Sequence, residues 1–301
     1  MLWVRLKHLS RCDVLCFRLD NMRYFYRAVP PELKSYVGSF YLIDTTIDLS
    51  GQVRVEIPHL RFLCRGTSTL SIADDVAVFS APAIIVCGPS FQTGMADVTA
   101  GSLIVGCSLT PAGWHALIGR SAEDYANRKV AFADVRPDVV PDPIVTQLGQ
   151  PGTDEALFLD IERFLIDALI CDPPPRWDFI APAVAWATDP ACPGIDELID
   201  RTGLSARQVD RLCRYHFGGS PKQVHRVFRA LNIAYRLTIE GARDWREVID
   251  PFYDQSHYIK EFKDRIGCTP SEFTGERLKM IRHDLEQKSM VPDTPRYCLI
   301  G

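Results

Sequence analysis

The sequence of 301 residues lacks several patterns that would assign it a class at once. It has ten cysteines but no CxxC pair and no Cys/His spacing suited to zinc, which points to free, buried thiols in a reducing cytosol. Its apolar runs, such as Ala83 to Cys87 and Leu103 to Cys107, fall far short of the roughly 20 residues that cross a bilayer. The first twenty residues mix basic and apolar side chains without the continuous apolar stretch of a secretory signal. No P-loop, GxGxxG or Ser/His/Asp elbow occurs, so no common catalytic motif supports an enzyme. A net charge of -4 gives no general attraction to polyanions, and any nucleic-acid function must rest on a local patch. The expectation is a cytoplasmic protein with no membrane partner and no cofactor.

What is present suits two domains of ordinary size, with 47% apolar and 24% charged residues. A clear pattern opens at Met22, so residues 1–21 are read as a leader that is non-native or disordered. From 36 to 110 short β-rich runs (Tyr36 to Ile43, Gln52 to Ile57, Val76 to Phe79, Ala83 to Cys87, Gly101 to Leu109) alternate with turn residues. That spacing argues for a small antiparallel barrel or sandwich. Helical patterning begins at Pro111 and returns over 154–170. There Leu157, Phe158, Ile161, Phe164, Leu165, Ala168 and Leu169 share one face, and Asp160, Glu162, Arg163 and Asp167 the other. The apolar face packs either on its own barrel or in a dimer seam.

Asp172-Pro173-Pro174-Pro175-Arg176 is a stiff spacer, because consecutive prolines cannot continue a helix. The expected division is therefore a barrel domain at 22–171, a linker at 172–177, a helical domain at 178–287 and a flexible tail at 288–301. Within the helical part, Ile195 to Thr202 is amphipathic, Gly203-Leu204 is a tight turn, and Ser205 to Phe217 is a second helix. This is the outline of a helix-turn-helix. Ser205 with Gln208 forms a capping box. Val209, Leu212 and Cys213 then face inward, leaving Ala206, Arg207, Asp210, Arg211 and Arg214 outward, where a recognition helix meets base edges.

The same grammar recurs 49 residues later. Asp254 takes the role of Ser205, Tyr258 that of Val209, Phe262 that of Cys213, and Lys260 and Lys263 those of Arg211 and Arg214. Gly218 and Gly267 stop the two helices, and Ser220-Pro221 and Thr269-Pro270 start the next ones, with Gln223 and Glu272 completing capping boxes. An internal duplication follows, with residues 221–240 as a rigid helical spacer. Over residues 201–230 seven cations stand against Asp210 alone, a local charge of +6 on an acidic chain.

Tyr253 to Phe273 resembles the signature of the AraC/XylS family of bacterial regulators, and Gly203 to Leu212 fits that family's first unit. The resemblance covers about residues 178–285. Val105 to Trp114 is similar, more loosely, to the place where barrel gives way to helix ahead of such modules. The family usually has glycine at the second turn, where this chain has Pro251. The resemblance implies an α+β two-domain chain: an N-terminal cupin-like antiparallel β-barrel with flanking helices, then an all-α tandem helix-turn-helix. It implies a transcriptional regulator or activator rather than an enzyme. Its partners would be double-stranded DNA, a small-molecule effector at the barrel, RNA polymerase and a second copy of the chain. The candidate DNA-binding set is Ser205, Ala206, Arg207, Gln208, Asp210, Arg211 and Arg214 in unit one. In unit two it is Asp254, Gln255, Ser256, His257, Ile259, Lys260 and Lys263.

Two rivals remain. A cupin-like metalloenzyme would need several converging imidazoles, whereas this barrel offers only His59, read as a turn or surface residue, and His115. A protein that keeps the helical fold for interactions other than DNA binding is the second rival, given Pro251.

Overall fold

The computed structural model describes residues 15–19, 21–139, 142–150, 152–170, 172–242, 244–247, 255–273 and 279–301. Its strands are β1 (Leu15–Leu19), β2 (Met22–Arg27), β3 (Val37–Thr45), β4 (Leu49–Val53), β5 (His59–Arg65), β6 (Thr67–Ile72), β7 (Asp75–Ser80), β8 (Ala83–Cys87), β9 (Gly94–Val98), β10 (Leu103–Leu109) and β11 (Lys129–Ala131). They form one sheet in the order β1-β2-β3-β10-β5-β8-β11 and a second in the order β4-β9-β6-β7. All pairings are antiparallel.

Period-two alternation gives the large sheet two different faces. Phe40, Leu60, Phe62, Val86, Val105 and Cys107 point outward into a helix-covered core. Leu63, Ile85, Cys87 and Ile104 point inward and meet Phe79 and Val98 of the small sheet. The outer face is covered by α1 (Pro111–Ile118), the short α2 (Phe132–Val135), α3 (Asp142–Leu148) and α4 (Asp154–Asp167). α4 buries Phe158, Ile161, Phe164 and Leu165 against the barrel of its own chain. Its polar face is less simple than expected. Glu162 is buried and lies 3.3 Å from the equally buried Arg27, which removes both charges from water together.

Helices fill the rest: α5 (Trp177–Ala187), α6 (Ile195–Thr202), α7 (Ala206–Phe217), α8 (Pro221–Thr238), α9 (Gln255–Ile266), α10 (Pro270–Phe273), α11 (Lys279–Ser289) and α12 (Arg296–Ile300). Their core contains Phe179, Trp186, Leu198, Val209, Phe217, Phe228, Tyr258 and Phe262. No helix among the described residues is long and apolar enough to cross a membrane. Cys64, Cys87, Cys107, Cys213, Cys268 and Cys298 are free and buried, and Cys192 is free and half-buried.

Several expectations need correction. The strand expected over Gln52 to Ile57 ends at Val53, because Val55 and Ile57 turn away from the sheet into the helical core, joined there by Phe91. Residues 59–65, 67–72 and 94–98 form strands that the turn-and-run pattern did not mark. β1 lies inside the stretch read as a leader and pairs with β2; residues 1–14 fall outside the described ones. The tail at 288–301 is not loose. Tyr297, Cys298 and Ile300 on α12 are buried, and Cys298 lies directly against the site where a Gly38 side chain would stand. His59 is likewise no surface residue: it is 3% exposed on β5, beside Tyr41, and burial lowers its pKa to about 3.

Barrel and helices are joined along a continuous seam. Arg54 Nη2 donates to the Gly301 carbonyl oxygen at 2.7 Å, and the Val55 amide donates to the Arg265 carbonyl at 2.9 Å. The Tyr24 and Tyr26 hydroxyls both donate to Asp284 of α11. Burial acts to raise the Asp284 pKa, but Lys288 and Arg54 outweigh it and hold the carboxyl below its ordinary value.

Gly218 lies on this seam, with φ of +82° and its missing Cβ 2.4 Å from Pro89 Cγ and 3.1 Å from the Ala122 carbonyl oxygen. Gly203 has φ of +63° but open space around it. Gly203→Ala should therefore cost about 1–2 kcal/mol, the left-handed strain alone. Gly218→Ala should cost more in urea denaturation, since the seam must also shift. Equal losses would show that the seam does not press on Gly218.

Candidate nucleic-acid interface

Unit one forms from local chemistry. α6 ends at Gly203 in the left-handed conformation. Ser205 then starts α7 through a reciprocal box: the Gln208 amide donates to Ser205 Oγ at 3.4 Å, and the Ser205 amide donates to Gln208 Oε1 at 3.0 Å. Ser205 and Gln208 are thus occupied as a cap. Val209, Leu212 and Cys213 are buried as the spacing requires, and Ala206, Arg207, Gln208 and Arg211 are exposed. Arg207 and Arg211 have no hydrogen-bond or ion-pair partner among the described residues, so their donors face solvent.

The +6 patch read from residues 201–230 is largely neutralised. Arg201 is held by Glu197 at 2.9 Å and Asp189 at 3.1 Å. Arg214 is held by Asp210 at 2.8 Å on its own helix and by Glu123 of the barrel domain at 2.5 Å. Arg229 lies 2.5 Å and Arg226 3.7 Å from the buried Glu261. Asp210 was already counted within the thirty-residue window; Glu197, Asp189, Glu123 and Glu261 lie outside it, so the local charge could not register them. Arg207, Arg211 and Lys222 are what is left of the patch.

In unit two, α9 presents Gln255, Ser256, His257, Lys260 and Lys263 to solvent and buries Tyr258, Phe262 and Ile266. Ile259, expected among the DNA contacts, is half-buried and packs against the helical core. Trp245, in a single helical turn at Trp245–Glu247, stacks on Tyr258 with ring centroids 5.5 Å apart. Gly267 ends α9, and Thr269 and Glu272 form the expected capping box. Ser220 and Gln223 do the same at the start of α8. Asp254 and Pro251 lie outside the described residues.

Glu261 is the residue that sequence reasoning missed. It sits on α9 but is buried against α8, with Arg229, Arg226 and His257 around one carboxylate. This pairing ties the second unit to the helix that follows the first. In the sequence it is one of two acids on α9, with Asp264, and nothing in the local pattern marks it as the buried one.

No family model matches the chain, and no curated relative does. Solved structures do. ToxT from Vibrio cholerae, an AraC-family regulator, aligns at 10% identity over 80% of this chain and 97% of its own, with a TM-score of 0.44. ToxT from Vibrio cholerae strain SCE256, in a structure with unsaturated fatty acid bound, aligns at 8% identity over 77% and 96%, with a TM-score of 0.42. A cupin superfamily protein from Desulfitobacterium hafniense aligns at 12% identity over 31% of this chain and 81% of its own, with a TM-score of 0.25.

Removing the buried Glu261 carboxylate takes away the group that the half-buried Arg229 and Arg226 share, and breaking a buried pair from one side costs up to about 3–5 kcal/mol. Glu261→Ala should lower stability by that order in chemical denaturation, and the double variant with Arg229→Met should recover part of it. A single variant within about 0.5 kcal/mol of the parent would show that the pair holds nothing together.

Proposed function

We propose that the chain is a sequence-specific DNA-binding transcriptional regulator of the AraC/XylS type, reading DNA first through α7 and second through α9. The observation that carries this reading is the exposure of Arg207 and Arg211, without acidic partners, on the N-terminal half of a capped second helix. An arginine with free donors in that position matches the acceptor edge of guanine. The second unit repeats the arrangement with Lys260 and Lys263, and α8 (Pro221–Thr238) spans the distance between the units.

The roles differ between residues. Arg207, Arg211, Gln255, Ser256 and Lys260 are assigned to bases or adjacent phosphates, and Lys263 to the phosphate backbone. His257 lies beside them within 3.6 Å of Glu261. Ser205 and Gln208 act by fixing the start of α7, and Asp210 by orienting Arg214. Arg214 reaches phosphate only by giving up Glu123. RNA polymerase, a second copy of the chain and a small-molecule effector are the further partners of this reading. Among the described residues no group of three or more His, Cys, Asp or Glu side chains is placed to hold a metal, and no observation favours the metalloenzyme alternative.

Selection of preferred sequences from random duplex DNA by the purified chain tests the reading. Arg207→Ala should flatten one base position, a loss of about 1–3 kcal/mol of discrimination. Lys263→Ala should weaken all sequences alike and lower the salt slope by about 1. An Arg207→Ala motif identical to that of the parent would overturn the assignment of that residue, and failure to enrich any sequence would overturn the function.

A further inference from the structure

A cleft of about 390 Å³ opens where the barrel side meets α7. One wall comes from α1 and the turn at Ala122–Tyr125, the floor from the linker prolines, and the other wall from the side of α7 that leads away from its exposed tip. Three guanidiniums, those of Arg176, Arg211 and Arg214, line it against a single carboxylate, Glu123. Asp178 and Asp210 hold Arg176 and Arg214 at 2.6 and 2.8 Å. Arg211 has no such partner among the described residues. An arginine fork carries five donors and fits a planar acid group in two-point contact.

The rest of the lining is flat and apolar. Tyr215, Pro173 and Pro174 supply the surface, and His115 lies with its ring 6.2 Å from Tyr215 and 6.0 Å from His216. Burial, with His115 nearby, lowers the His216 pKa to about 4, so that ring is neutral at physiological pH. His115 Nε2 donates to the Pro173 carbonyl oxygen at 2.9 Å, because that oxygen can only accept. The Nδ1 atoms of both histidines are buried without a partner. Two orphaned ring nitrogens, one from each wall of a cationic cleft, call for an occupant that brings its own polar groups.

We propose that this cleft binds a small planar organic anion, its acid group on Arg211, its rings along Tyr215 and the prolines, and a hydroxyl or N–H donor toward His115 and His216. Because Arg211 is also assigned to DNA, the anion and DNA compete for it; this second part rests on the function proposed above. The site lies outside the barrel interior, which Leu63, Ile85, Cys87 and Ile104 fill.

The probe is 6-hydroxy-2-naphthoate, a planar fluorescent carboxylate with one hydroxyl donor at the far end of its rings, added to the full chain. The seven histidines allow the ring signals to be followed by carbon-edited proton NMR, with His115→Gln and His216→Gln identifying two of them. Saturable binding that moves the His115 and His216 signals supports the site. Arg211→Ala should weaken binding at least about tenfold, the scale of a charge-assisted hydrogen bond. Glu123→Gln, which removes the one acid of the lining, should tighten it. Arg163→Ala, which deletes one exposed charge on α4, should leave it unchanged. Fluorescence enhancement without movement of those two signals, or Arg211→Ala binding as the parent does, overturns the site. Inorganic phosphate moving the same signals at the same concentration overturns the organic class in favour of a phosphate seat.

Duplex binding measured at low salt with and without the probe tests the competition. A roughly tenfold loss of DNA affinity at saturation supports it. Unchanged DNA affinity while the histidine signals move overturns the competition and leaves the site standing. A chain that binds the probe but no duplex overturns the DNA reading, not the site.

Discussion

Val55, Ile57 and Phe91 belong to the barrel by sequence and to the helical core by packing. Burying a side chain of this kind is worth about 1.5–3 kcal/mol each. The two halves therefore cannot part without exposing apolar surface from both. The arrangement explains why a chain whose linker reads as a spacer behaves as one folded body at the seam. The buried Arg54 and Lys288, with the half-buried Asp284, add charge to the same boundary, and such groups are tolerated only where partners come from both sides. α11 and α12 supply one side, so the C-terminal segment completes the barrel as much as it ends the helices.

Ion pairing, across the seam at Arg214 and within the helical part at Arg201, Arg226 and Arg229, decides which charges are available. A count along the chain places seven cations on unit one; the fold withdraws four of them into ion pairs. What survives lies at the tip of α7 and on the exposed face of α9. Specific reading benefits from such thinning, because a broad cationic face attracts any polyanion, whereas a few unpaired donors discriminate by geometry.

Local grammar was the legible part of the sequence. Capping boxes, helix-stop glycines and the inward set Val209, Leu212 and Cys213 depend on neighbours within four residues, and all of them stand in the structure. β3, β8 and β10 were legible because turn residues bracket them. β5 and β6 were not, since Gly66 alone separates the two and no polar cluster flags it. Arg27 with Glu162, Glu123 with Arg214, and Tyr297 in the core involve partners 91 or more residues apart or surfaces made by other elements. No window along a single sequence contains them, and the cleft facing Arg211 is of the same kind.

The three capping boxes, at Ser205, Ser220 and Thr269, have a consequence for the energetics of association. A recognition helix that must wind its first turn on arriving at DNA spends part of its contact energy on ordering. Here the first turn of α7 is closed by Ser205 and Gln208 before any partner arrives, and the helices that follow, α8 and α10, are closed in the same way. The reading surface of α7 is preformed, so discrimination between sequences is free to appear in dissociation rates rather than being lost in a folding step common to all of them.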